Sequence, residues 1–131
     1  MNYRQYYELR RVLSSKFYDY RRMAREFDPS TIFGKRLKEA RTHLGIAQDK
    51  LGVLIGLDEG CSSARISRYE TGIHEPPLVI SAKLASTLKL PLAYFYCEDD
   101  DLAKILAIYP ALDEMQKKQL SNKAIELIND K

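Results

Sequence analysis

The spacing of apolar residues in positions 1–30 predicts an amphipathic helix. Apolar and aromatic side chains recur there at steps of three, four or seven positions, with arginines between them, which is typical of one helix face. These positions are Tyr6, Leu9, Leu13, Phe17, Tyr20 and Phe27. Pro29 disfavours helix at Asp28, and Ser30 or Thr31 is a suitable cap for a following helix. We therefore expect a helical N-terminal extension that ends near residue 30.

Positions 31–96 predict five short helices with tight connections. Three of these helices are expected to stop at Gly45, Gly56 and Gly72, and Gly56 suits a left-handed helix end. The expected helices span about residues 32–44, 47–56, 62–71, 76–88 and 91–96. Their core positions are expected at Leu37, Leu51, Leu54, Ile55, Ile66, Leu84 and Leu88. Because the sequence has neither strand alternation nor a hairpin-turn signal, this unit is expected to be all-α.

Positions 97–131 predict two further helices. The acidic run Glu98–Asp101 precedes an apolar pattern, and acidic residues suit the first turn of a helix. Pro110 breaks that pattern. Asp113, followed three positions later by Gln116, resembles a capping box at the start of a last helix. One face of this last helix is expected to carry Met115, Leu120, Ala124, Leu127 and Ile128.

Charge is distributed unevenly along the chain. Residues 1–30 have seven basic and four acidic side chains, residues 31–97 have nine and six, and residues 98–131 have five and eight. The first two segments are therefore positive, and the last one is negative. A polyanion is expected to bind the positive part, while ordinary solvated charge is the alternative explanation of the same pattern.

Composition excludes several classes of protein. With 45% hydrophobic and 30% charged residues, the chain is expected to fold around a core. Neither a membrane span nor a signal peptide is present, so we expect a cytoplasmic protein without a membrane partner. The isolated Cys61 and Cys97 and the two histidines form no disulfide framework or metal-ligand set, and no cofactor is expected. The sequence shows no nucleophile paired with a general base, no pair of catalytic carboxylates and no glycine-rich phosphate loop, so we do not expect an enzyme.

Two predicted helices joined by a glycine-containing turn, the second short and polar, suit insertion into a DNA major groove. The stretch from Phe33, FGKRLKEARTHLGIAQDKLGVLIGL, is followed by ARISRYETGIHEPP and then by AKLASTLKLPLAYFY. In this order these segments resemble the lambda repressor and Cro-like (XRE-like) helix-turn-helix family over about residues 31–96. The resemblance implies a five-helix lambda repressor-like DNA-binding domain, here with additional N-terminal (1–30) and C-terminal (97–131) helices.

The resemblance also implies a recognition helix at about residues 62–70. Ser62, Ser63 and Ala64 match its N-terminal end, where hydroxyl groups donate or accept hydrogen bonds and a methyl group can meet a thymine methyl. The preceding turn is longer than in the family, so that Asp58–Cys61 resembles an acidic insertion. The choice among these three residues as base readers therefore stays open.

Four further positions are implied to meet DNA. Arg65 and Arg68 are the cations of the recognition helix, and arginine binds guanine bidentately or clamps phosphate. Arg68 matches a base-reading position of the family, whereas an ordinary solvated charge is the alternative for Arg65. Gln48 opens the second helix, where the family binds phosphate, and helix capping is its alternative role. Thr71 matches the turn after the recognition helix, where backbone amides meet phosphate.

Arg41 and Glu70 match a family pair with a structural role. The pair is implied to tie the first helix of the domain to the end of the recognition helix, which fixes the orientation of that helix. Glu75 stands where a basic residue would help to hold phosphate. We therefore expect the nonspecific affinity for DNA to be modest.

The leading interpretation is a sequence-specific DNA-binding regulator of transcription, expected to be a repressor that binds double-stranded DNA as a homodimer. One short helix buries too little surface for specific binding, and paired half-sites solve that problem. The last helix is expected to mediate the dimer, because its acidic segment is kept away from DNA. The alternatives are terminal helices that cap the monomer core, or an antitoxin or other interaction module whose terminal helices bind a protein partner.

Overall fold

A computed structural model of the chain describes residues 2–16 and 28–130, and the regular secondary structure there is helical. In chain order the helices are α1 Tyr3–Lys16, α2 Pro29–His43, α3 Gln48–Leu54, α4 Glu59–Glu70, α5 Leu78–Thr87, α6 Leu92–Phe95, α7 Asp100–Ile108 and α8 Glu114–Asn129. A 3₁₀ turn, Tyr109–Ala111, separates α7 from α8. The predicted all-α fold is confirmed for this part of the chain. The last three apolar positions predicted for the first segment lie outside the described residues.

Helix α2 begins at an aspartate cap. The carboxylate of Asp28 accepts hydrogen bonds from the backbone nitrogen of Ser30 at 3.0 Å, from its hydroxyl at 2.6 Å, and from the hydroxyl of Thr31 at 3.0 Å. The hydrogen bonds from Ser30 and Thr31 lower the pKa of Asp28. The expectation that Ser30 or Thr31 caps this helix is therefore wrong, because Pro29 already takes the first helical position.

Glycines end three helices of the domain, as the sequence predicts. Gly45, Gly56 and Gly72 follow α2, α3 and α4 with φ angles of 65°, 90° and 74°. A residue without a Cβ adopts this left-handed conformation without steric cost. These tight ends turn the chain sharply between α2, α3 and α4. Lys89 takes the equivalent position after α5, with a φ of 55°.

Among the described residues, one apolar cluster contains side chains from each of the six helices α2 to α7. The buried residues include Leu37, Leu51, Ile55, Ile66, Leu84 and Leu88, which confirms these predictions. Leu54 was expected in the core and is 55% exposed. The two-turn helix α3 buries Leu51 and Gly52, and Leu54 lies beyond the edge of that face. The sequence did not single out Phe33 and Phe95, which are fully buried with ring centroids 5.4 Å apart.

Helix α7 is attached to α2 by ion pairs. The carboxylate of Asp100 lies 2.9 Å from Nη2 of Arg36 and 3.1 Å from Nζ of Lys35. The Arg36 side chain is almost fully buried, and its Nε donates a hydrogen bond to the backbone oxygen of Cys97 at 2.9 Å. Ala103 of α7 is buried in the core cluster. The start of the C-terminal segment is therefore an integrated part of the fold.

The last helix, α8, is packed differently. Its predicted capping box is confirmed, because the backbone nitrogen of Gln116 donates to the Asp113 carboxylate at 2.7 Å and the reciprocal bond is 2.9 Å. No residue of α8 is buried, and Met115 and Leu127 are 71% and 58% exposed. In the described part of the chain, no helix has the length and hydropathy that crossing a bilayer requires.

Candidate nucleic-acid interface

Helices α3 and α4 form the predicted helical pair, but α4 begins earlier than the sequence suggests. Its first residue is Glu59 rather than Ser62, and Asp58 precedes it in an extended conformation. The backbone nitrogen of Cys61 donates to the backbone oxygen of Asp58 at 3.1 Å, which closes the first turn. The expectation that Asp58–Cys61 lengthens the connecting loop is therefore wrong. Most of these residues lengthen the helix.

Close backbone approach joins α3 to α4. A Cβ atom at Gly52 would lie only 2.9 Å from Cα of Ser62, so glycine is required for this packing distance. The hydroxyl of Ser62 donates to the backbone oxygen of Asp49 at 2.7 Å, and its side chain is fully buried. Ser62 is therefore part of the packing between helices, and the expectation that it reads DNA bases has to be corrected.

A second close approach holds the other end of α4. A Cβ atom at Gly34 of α2 would lie 2.6 Å from the backbone oxygen of Tyr69, and still closer to that of Glu70. Ile66 and Tyr69 are buried beside Ser62, at the spacing of one helix face. Helix α4 is therefore fixed along its length by α3 at its start and by α2 at its end.

A polar network lies where α2, α3 and α4 meet. Arg41 donates to Glu70 through Nε and through Nη2, the latter at 3.3 Å, and its Nη1 donates to the backbone oxygen of Ile46 at 2.8 Å. The amide nitrogen of Gln48 donates to the same Glu70 carboxylate at 2.8 Å. The side chains of Arg41 and Glu70 are only 13% and 4% exposed. This paired, hydrogen-bonded carboxylate links all three helices.

The side of α4 turned away from the core carries small and basic residues. Ser63, Ala64, Arg68 and Thr71 are exposed, and we call these four residues the outer face of α4. The Thr71 hydroxyl donates to the backbone oxygen of Ser67 at 2.9 Å. Arg65 is also exposed, but it lies beside the buried stripe, three residues after Ser62 and four before Tyr69.

The outer face has the chemistry of a nucleic-acid surface. Small side chains permit close approach, a hydroxyl donates or accepts hydrogen bonds, and a guanidinium binds phosphate or guanine. Glu59 adds one acidic group at the start of α4. In residues 2–16 and 28–130, no three His, Cys, Asp or Glu side chains lie together as a group that could hold a metal ion.

Two positions that set the packing around α4 were not identified from the sequence. Gly34 and Gly52 set how closely α2 and α3 approach α4, although neither contributes a reactive group. The available signal was a glycine inside a predicted helix, where it is unfavourable unless close packing requires it.

Comparisons with known proteins agree with this geometry. A family model described as helix-turn-helix (HTH_3) matches residues 37–95. Among solved structures, the crystal structure of the transcriptional regulator BswR is similar, with 39% sequence identity and a TM-score of 0.69. The similarity covers 74% of this chain and 96% of the BswR chain. No curated protein matches the chain.

Proposed function

Because this chain belongs to the XRE-like helix-turn-helix family, we propose that it is a sequence-specific transcriptional regulator that inserts α4 into the DNA major groove. The observation that carries this proposal is the division of α4 into two faces. Ser62, Ile66 and Tyr69 are buried against the rest of the domain, while the outer face is open. A recognition helix needs both, because rigid support positions the exposed side chains against base edges.

The proposed contacts follow from exposure. Ser63 and Ala64 read bases near the start of α4, and Arg68 binds guanine or a neighbouring phosphate. Arg65 and Thr71 contact the phosphate backbone on either side, which positions the helix without specifying sequence. Ser62 is excluded because it is buried.

Gln48 is proposed to contact DNA from α3 rather than from α4. Its amide nitrogen is bound to Glu70, within the network that fixes α4. It lies at the first residue of α3, and its side chain is only partly buried. We assign it a phosphate contact that is held in position by Glu70.

The proposed regulator acts as a homodimeric repressor in the cytoplasm, where this class of protein meets DNA. It carries out no catalytic step. Two copies of α4 read two half-sites, which supplies the specificity that one short helix lacks. The open apolar face of α8, with Met115 and Leu127 exposed, supports assignment of this helix to the dimer contact.

Selection of bound duplexes from a random pool tests the proposal with the full chain. We expect one enriched sequence with two-fold symmetry and half-site centres about 10 base pairs apart, or a multiple of that distance. A pool without any enriched sequence after repeated rounds would contradict sequence-specific binding.

Arg68→Ala tests the proposed base contact. We expect binding to the selected site to weaken by about 1–3 kcal/mol for each half-site, with relaxed preference at one base pair of each half-site. Arg65→Ala is the matched control on the same helix, and its loss is expected to be similar on selected and unrelated DNA. Equal losses of Arg68→Ala on both kinds of DNA would instead make Arg68 a phosphate contact.

Deletion of residues 113–131 tests the proposed dimer contact. Since no residue of α8 is buried, the shortened chain is expected to keep its cooperative thermal unfolding and to have the mass of a monomer in solution. If the shortened chain remained dimeric at the same concentration, α8 would not form the interface, and the dimer contact would be sought in residues 3–27.

A second candidate function is an antitoxin or another protein-binding module. It is favoured by the exposed apolar residues Leu102, Ile105 and Ile108, which recur every three positions along α7. This alternative differs from the first in the random-pool experiment. A chain that binds a protein through α7 without regulating a DNA site would enrich no sequence.

A further inference from the structure

Helix α1 has two chemically different faces. Asn2 lies just before its first residue. The Asn2 side chain accepts from the backbone nitrogen of Gln5 at 2.9 Å, while Gln5 Oε1 accepts from the backbone nitrogen of Asn2 at 3.1 Å. From this start, helical periodicity places Tyr6 on one side with the apolar positions 9 and 13. The opposite side, which we call the basic face of α1, carries Tyr3, Arg4, Tyr7, Arg10 and Arg11.

The basic face is exposed and positively charged. All five of its residues are exposed, with Tyr3 at 84% and Tyr7 at 62%. Helix α1 has four basic residues and one acidic residue, Glu8, and no acidic residue lies in its first turn. Arginine and tyrosine side chains both donate hydrogen bonds to phosphate oxygens. This face therefore matches a polyanion in charge and in chemistry.

The chain enters the domain beside the end of the recognition helix. The ideal Cβ position at Gly72, just after α4, lies 3.5 Å from Cα of Thr31 and 3.6 Å from the carbonyl carbon of Ser30. The backbone that leads from α1 therefore arrives at the turn next to Thr71 on the outer face. Between Lys16 and Pro29 the chain can extend at most about 45 Å, little more than one turn of duplex DNA.

We propose that the basic face of α1 binds the phosphate backbone of the DNA that flanks the sequence read by α4. The inference rests on the proposed function, since α4 must first hold the duplex. It assigns α1 an electrostatic contribution that is independent of sequence, while base discrimination stays with the outer face of α4. The C-terminal segment, residues 98–131, is not expected to bind flanking phosphates, because its net negative charge repels them.

The triple variant R4Q/R10Q/R11Q tests this contact in the full chain. Glutamine keeps a similar helix propensity, so circular dichroism should show an intact helix content. Affinities for the selected duplex and for an unrelated duplex are measured between 50 and 200 mM KCl. The slope of log K against log salt is expected to become shallower by up to about 5.4 for the dimer, or about 0.9 for each of six lost phosphate contacts, three from each protomer. Affinity for both duplexes is expected to fall by the same factor.

The matched control is K104Q/K118Q/K123Q, which removes three exposed positive charges from the C-terminal segment. This control is expected to keep the wild-type salt slope. A second measurement shortens the duplex to the two half-sites, on which the wild-type slope should fall to that of R4Q/R10Q/R11Q because the flanking phosphates are gone.

Three results would overturn the inference. An unchanged salt slope in R4Q/R10Q/R11Q would exclude phosphate contacts by α1. If this variant also lost the dimer, the basic face of α1 would instead contact a second copy of the chain. An equal loss of slope in the lysine control would show that only net charge matters. These outcomes leave the proposed function intact, whereas a wild-type chain that binds no duplex would overturn both.

Discussion

Helices α4 and α8 have similar amphipathic patterns and different surroundings. Helix α4 spans 12 residues and buries Ser62, Ile66 and Tyr69, whereas α8 spans 16 residues and buries none. Both sequences have apolar positions at helical spacing. The difference lies in the neighbours, since Gly34 and Gly52 let two other helices come within backbone contact of α4. An apolar face therefore predicts that a helix needs a partner, and for α4 the glycines of two neighbouring helices let that partner lie in the same chain.

The largest expected effect comes from blocking this close approach. Gly34→Ala places a methyl group against the backbone oxygens of Tyr69 and Glu70, neither of which can move without shifting α4. We expect the free energy of unfolding to fall by about 3 kcal/mol, at the upper end of overpacking effects. Denaturant unfolding measures this loss, and DNA binding should decline with it because the outer face is displaced.

Gly60→Ala is the matched control on α4 itself. No atom lies within 4 Å of the position that a Cβ would occupy there, and alanine favours helix over glycine by about 1 kcal/mol. This control is expected to be neutral or stabilising. If both variants lost the same stability, the close approach at Gly34 would not be what holds α4.

Removal of the guanidinium of Arg41 is expected to have the next largest effect. Glu70 is 4% exposed, so Arg41→Ala leaves a buried carboxylate with only the amide of Gln48. Loss of one partner of such a pair costs about 3 kcal/mol or more in fully buried cases, and we expect roughly 2 kcal/mol here because Arg41 is partly exposed. Preference among bases should change little, since Arg41 orients α4 from within the domain.

Lys38→Ala, on the exposed side of the same helix, is the control for Arg41→Ala. It should unfold at the wild-type temperature. A wild-type melting temperature in Arg41→Ala as well would remove the structural role of the Arg41–Glu70 pair.

The sequence predicted positions that carry a strong local signal. Leu37 and Ile66 are buried as expected, because apolar residues at helical spacing have few alternatives. Gly56 ends α3 as expected, because its left-handed conformation is rare for other residues. These signals were sufficient for the all-α fold and for the order of the helices in the domain.

Positions whose role depends on packing were not predictable in the same way. Ser62 was expected to contact DNA because it matches the N-terminal end of the family's recognition helix, yet the early start of α4 at Glu59 makes it part of the buried stripe with Ile66 and Tyr69. The cap at Asp28 was missed because several neighbouring side chains were equally suitable. In both cases the helix start had to be known before the side chain could be assigned to a face.

The smallest expected effect concerns the point where the C-terminal segment joins the domain. The hydrogen bonds from Lys35 and Arg36 hold the pKa of Asp100 below its usual value of 3.8. A carboxylate with a lowered pKa stabilises the fold above its unfolded pKa, and this stabilisation is lost as the pH falls through the folded pKa. Asp100→Asn should therefore lower the melting temperature slightly at pH 7, by less than Arg41→Ala, since Asp100 is 64% exposed. The difference in melting temperature between variant and wild type should disappear below pH 3.8.

Asp101→Asn is the matched control, because its carboxylate pairs with Lys104 of the same helix at 3.0 Å and does not join α7 to α2. A gap for Asp100→Asn that persists at every pH would mean that the substitution acts through packing, and that α7 is held to the domain by Ala103 and its apolar neighbours rather than by charge.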